Sequence, residues 1–184
     1  MKNSVCVIAS ILCLSACNKG PTVELKNASG TQVAQAVKQS GVMTSDTMIE
    51  PGLWQSKTDV QEMNMPGMPP QFAARMKQSM AESRNQTSSH CVTADQVKKP
   101  KEDFFGADKT CKYQHFTMGG GKIDAQMVCS EEGSTQTTNL SGTYTPTSYS
   151  MDVSSSGTGG AREGMSMKMH VDSRRVGECT GKEG

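Results

Sequence analysis

The stretch from Cys111 to Cys129 reads CKYQHFTMGGGKIDAQMVC. On either side of its three glycines, apolar and polar residues alternate with the period of two that a half-buried strand requires. Folding about Gly120 sets Cys111 opposite Cys129, Tyr113 opposite Met127 and His115 opposite Ala125. Directly opposed residues on neighbouring antiparallel strands bring their β-carbons near disulfide-bonding distance, so this register pairs Cys111 with Cys129. The glycines read as a hairpin turn. A phosphate loop would need Ser or Thr after Lys122, and Ile123 stands there.

The same construction extends toward the C-terminus. A two-residue turn at Glu132-Gly133 sets Ala125 opposite Leu140, and a turn around Pro146-Thr147 sets Tyr144, Gly142 and Leu140 opposite Tyr149, Met151 and Val153. Folding across a Gly- and Ser-rich loop, Ser154 to Gly164, sets Val153, Met151 and Tyr149 against Met165, Met167 and Met169. One face is then apolar, with His115 on it. The other carries Lys112, Gln114, Asp124, Gln126, Ser150, Asp152, Lys168 and His170, the pattern of an antiparallel meander with one solvated face.

Upstream, Pro51-Gly52-Leu53-Trp54 opens a strand that reaches about Glu62. Prolines then exclude regular structure through Met63-Asn64-Met65-Pro66-Gly67-Met68-Pro69-Pro70. From Gln71 to Ser83, Phe72, Met76 and Met80 recur at the spacing of a helical stripe, which predicts a helix lying on the sheet. The fold class is α+β: an antiparallel β meander with a helix packed on one face and two disulfides.

The N-terminus has the architecture of an export signal: Met1-Lys2-Asn3, an apolar run from Val5 to Leu14, then Ser15-Ala16 before Cys17. That run is too short to span a hydrocarbon core of ~30 Å. Leu14-Ser15-Ala16-Cys17 resembles the lipobox of bacterial lipoproteins, which makes Cys17 the lipidation site. Its fatty chains, palmitate among them, would be the membrane anchor, since two or more chains hold stably where one does not. Asn18 follows the anchor, and by analogy with enteric lipoproteins this implies the outer membrane, facing the periplasm. The expected organisation is a signal peptide over 1–16, a flexible tether over 17–47 with room for a short helix over Thr31–Gln39, and a β-rich domain over 48–184.

Removing residues 1–16 deletes Lys2, so the formal charge falls from +1 to zero. Such a chain has no electrostatic footprint for nucleic acid. Of the 7 cysteines, Cys6 and Cys13 leave with the signal and Cys17 takes lipid. Four remain, and with Cys111 paired to Cys129 the second bridge joins Cys91 to Cys179, in an oxidising compartment where disulfides persist. None of the four has the close C-x₂-C spacing usual for zinc.

Pro51-Gly52-Leu53-Trp54, Met65-Pro66-Gly67-Met68-Pro69, Cys91-Val92-Thr93, the central cysteines and Arg175-Val176-Gly177-Glu178-Cys179 together resemble the bacterial domain-of-unknown-function 3617 family, over roughly residues 48 to 181. The resemblance implies an exported protein and supplies no catalytic residue.

No hydrolase motif is present, and Asp59, Glu62 and Asp124 have no companion arrangement for acid–base work. His90 abuts Cys91, whose thiol is consumed by its disulfide, and His170 falls on the solvated face. The conspicuous excess is methionine, 14 in all, clustered at Met63, Met65, Met68 and at Met165, Met167, Met169. Alternate methionines in a strand suit core packing, and flexible methionine also suits adaptable binding surfaces. The expected role is therefore a non-enzymatic binding or accessory module without a cofactor, holding an envelope protein or a small apolar ligand between sheet and helix. The alternative is a Cu(I)-binding lipoprotein in which Met63, Met65 and Met68 offer soft thioether donors to copper.

Overall fold

The computed structural model describes residues 20–42, 49–83, 87–98 and 110–181; the expected signal segment and Cys17 lie outside them. Strand β1 (Thr22–Ala28) and helix α1 (Gly30–Ser40) come first, followed by β2 (Gly52–Asn64), α2 (Pro70–Ser83), β3 (Thr87–Val92) and the short α3 (Ala94–Lys98). Five strands complete the chain: β4 (Cys111–Gly119), β5 (Lys122–Glu131), β6 (Ser134–Thr145), β7 (Ser148–Thr158) and β8 (Ser166–Gly177). They form one antiparallel sheet in the order β1-β4-β5-β6-β7-β8-β2-β3. Among the described residues no helix is long and apolar enough to cross a membrane.

The meander follows its turns. Glu132 and Gly133, at φ 48 and 76, form a two-residue turn that fixes Ala125 against Leu140. Tyr144, Gly142 and Leu140 face Tyr149, Met151 and Val153 as the Pro146-Thr147 turn requires. Cys111 is bonded to Cys129, its ladder partner, and Cys91 to Cys179.

The β4–β5 hairpin departs from the expected register. Its turn is Gly120-Gly121, both at positive φ, so Gly119 pairs with Lys122. Both this turn and the Cys111–Cys129 pair are accommodated because β4 bulges between Tyr113 and His115. An extra residue on one strand reverses which way the following side chains point. Beyond the bulge it is Phe116, 1 % exposed, and Met118, 8 % exposed, that enter the core, while His115 joins the polar face. The expectation of His115 on the apolar face is thus corrected.

The β7–β8 hairpin is also displaced. Val153 faces Met169, Met151 faces Val171 and Tyr149 faces Ser173, because the serine-rich run expected as loop continues β7 to Thr158. The shift is of four residues, an even number, so Met167 and Met169 keep the face assigned to them.

Residues 22–40, expected within a flexible tether, belong to the folded body. Strand β1 pairs with β4 at the sheet edge, Val23 against Met118 and Leu25 against Phe116. Helix α1 starts at a capping box in which Ser29 and Gln32 each accept the other's backbone N–H, and it ends at Gly41 with φ 68. Val33 and Val37, one turn apart, are fully buried in one cluster with Phe116, Ile123 and Tyr144. Burying each contributes on the order of 1.5–3 kcal/mol. The helix expected across the apolar face, α2, leaves Phe72 53 % exposed.

Candidate functional site

Ladder partners line up into rows across the sheet. One apolar row runs Leu25, Phe116, Ala125, Leu140, Val153, Met169, Val60. Its Phe116 and Ala125 are buried, whereas Leu140, Val153, Met169 and Val60 are half-buried. The next row runs Tyr113, Met127, Thr138, Ser155, Met167, Met63 and ends at the methionines.

Met63 reaches this face through a second irregularity. Trp54, Ser56 and Val60 would by alternation put Glu62 and Asn64 on their own face, but β2 shifts register between Val60 and Glu62. The shift turns Met63 onto the face of Met167 and sends Glu62 to the polar side, where it meets Lys168 at 2.7 Å. Met65 follows in a turn whose carbonyl accepts the Met68 N–H at 3.3 Å. Met165 is held by backbone hydrogen bonds at both ends, its N–H to the Arg162 carbonyl at 3.1 Å and its carbonyl from the Gly157 N–H at 2.8 Å.

Met63, Met65, Met165 and Met167 thereby line one cleft of about 390 Å³. Its other walls are polar, with Gln136 and Arg162 foremost. Arg162 donates to Gln136 Oε1 at 2.7 Å and lies 3.7 Å from Glu131. Met65 is 36 % exposed and the other three methionines are half-buried. Met165 and Met167, read from sequence as core packing, therefore reach the surface. The structure groups them with Met63 and Met65, while Met68 stands in the adjoining turn.

The polar face carries the titratable groups. His170 Nδ1 lies 2.7 Å from Asp152, and its Nε2 lies 3.2 Å from Asp172 and 3.3 Å from Ser150 Oγ. A serine, a histidine and a carboxylate in this order suggest an activated nucleophile, but the imidazole would have to be neutral at Nε2 to take the serine proton. Hydrogen bonding to Asp152 first, and to Asp172 as well, raises the His170 pKa and favours the charged ring. A hydrogen bond from Ser150 is the main cause that lowers Asp172. His170 and the two aspartates form a charge-paired cluster, with Ser150 beside them, on an open strand face.

This cluster sets a pH dependence. Because His170 titrates higher folded than unfolded, its contribution is complete below its ordinary value of 6.5 and is lost as pH rises through the folded value. The Asp172 contribution has the opposite sense, present above 3.8 and lost as pH falls through its depressed value. The groups are largely solvated, so the effect is small, about 0.2–1 kcal/mol. Thermal melts from pH 5 to 9 should show parent and His170→Asn converging as the pH rises. A constant gap would refute the assignment.

Asp124 pairs with His115 at 2.7 Å, and Asp59 is the ladder partner of His170. With Glu62 on Lys168, the three carboxylates considered for acid–base work stand at three separate places. Among the described residues no group of three or more His, Cys, Asp or Glu is placed to hold a metal ion.

No curated protein and no solved structure matches the chain. Residues 49–179 match the family described as "Protein of unknown function (DUF3617)", and the chain, with Trp54, both disulfides and all four cleft methionines inside that span, belongs to that family.

Proposed function

We propose that this chain is a lipid-anchored, periplasm-facing protein of the outer membrane, and that its sheet domain is a non-enzymatic binding module whose ligand sits in the methionine-lined cleft. The observation that carries the binding half is the convergence of thioethers from two distant segments on one open cleft. A core would close over such side chains, and a flexible, polarisable surface suits a ligand site. Leu14-Ser15-Ala16-Cys17 after its apolar run supports the anchor, and Asn18 supports the outer membrane.

Each half has its own test. Cys17→Ser should abolish incorporation of a labelled fatty acid, and retained label would sink the anchor. For the cleft, peroxide footprinting compares protein in its native envelope with protein unfolded and refolded, disulfides intact, to strip any ligand. Met63, Met65, Met165 and Met167 should oxidise more slowly in the envelope sample. Equal rates at all four would remove the binding reading.

A further inference from the structure

We infer that the cleft is a Cu(I) site in which Met63, Met65, Met165 and Met167 supply the thioether donors. The inference rests on the binding reading above and names the ligand class. Thioether sulfur is a soft donor that selects Cu(I), whereas zinc, magnesium and calcium sites are built with imidazole, thiolate or oxygen donors. Among the described residues the lining contains no His, Cys, Asp or Glu.

Position supports the same ion. Met63 and Met167 are ladder partners on adjacent strands and share a face through the β2 register shift. Hydrogen bonds fix the backbone at Met65 and on both sides of Met165. The backbone is thus preorganised, and each unbranched side chain keeps the freedom to turn its sulfur toward an ion. Between the methionines the walls are Asn64, Gln136, Ser155, Arg162 and Ser166. Asn64, Gln136, Ser155 and Arg162 are already hydrogen-bonded within the protein, so these walls hold their own geometry and leave the thioethers as the donors that face a ligand.

Among the described residues Arg162 is the one cation in the lining, and its guanidinium is engaged by Gln136 and lies near Glu131. Its residual field opposes a dication twice as strongly as a monocation, since Coulomb energy scales with charge. A neutral thioether set beside such a field favours Cu(I) over Cu(II).

The test is competition of the full folded domain against a chromogenic Cu(I) chelator, anaerobically, with a mild reductant that spares the disulfides. The parent should retain Cu(I) at submicromolar free metal. The quadruple variant Met63→Leu, Met65→Leu, Met165→Leu, Met167→Leu preserves bulk and should lose at least ~100-fold, since even outer-shell changes cost ~10–100-fold at metal sites. Met68→Leu, outside the cleft, should bind like the parent. Circular dichroism of the quadruple variant checks that it folds; were it unfolded, the pairs Met63/Met65 and Met165/Met167 replaced separately should each weaken binding. Failure of the parent to hold Cu(I), or undiminished retention by folded Leu variants, overturns the inference. Slower peroxide oxidation in the envelope alongside no Cu(I) retention would leave the binding reading standing with a different ligand. Absence of both would remove both.

Discussion

Replacing Trp54 with Ala should lower the melting temperature by roughly 6–20 °C, from a loss of about 3–5 kcal/mol at about 2–4 °C per kcal/mol for a chain of this size. Trp54 is 0 % exposed in a chain with one tryptophan, four phenylalanines and three tyrosines, so few other side chains could refill its volume. Its ring stacks on Tyr149 of β7 with centroids 5.9 Å apart. The indole N–H donates to the Glu50 carbonyl at 2.9 Å, so truncation leaves a cavity and an acceptor without its donor. Trp54→Phe retains the stacking surface and should recover more than half of the loss. A shift below about 3 °C for the Ala variant in calorimetry would show the site to be less tightly packed than its geometry implies.

The second large effect belongs to the disulfide between Cys91 and Cys179, which are 88 residues apart. Chain entropy assigns about 4.5 kcal/mol to closing a loop of that length and ~3 kcal/mol to one like that of Cys111 and Cys129, 18 apart. The long bridge ties β3 to the segment after β8 across the start of β2, where Leu53 pairs with both Cys91 and Gly177. The short bridge joins strands already held by one hairpin. Cys91→Ser with Cys179→Ser should therefore shift the denaturation midpoint further than Cys111→Ser with Cys129→Ser. The reverse order would mean that the entropy of the unfolded chain does not govern these bridges.

The hairpins at Glu132-Gly133 and Pro146-Thr147 were legible because a two-residue turn and an apolar alternation leave one register. The bulges on β4 and β2 were not, since each adds a residue without changing composition. Their trace is a break in parity, from Cys111 and Tyr113 to Phe116 and Met118, and from Val60 to Met63. That trace can be weighed only once the partner strand is known. Ending the strand at about Glu62, ahead of the prolines, and leaving it without a partner hid the meeting of Met63 with Met167, and so hid the cleft. The fold of residues 22–40 did have a local signal, Ser29 and Gln32 spaced as a capping box before Val33 and Val37, but the polar residues around it read as tether.

The early start of β1 changes what the proposed anchor can do. With Thr22 already in the sheet, it stands five positions after Cys17, and a fully extended chain covers at most about 3.6 Å per position. The leash is then at most about 18 Å, where a 30-residue coil would have averaged roughly 30 Å and stretched much further. If Cys17 carries the lipid as proposed, so short a connection would confine the sheet to a shell against the lipid surface. On the proposed anchoring, whatever loads or empties the cleft would have to work within that shell, and a diffusing carrier would meet this protein only at the bilayer.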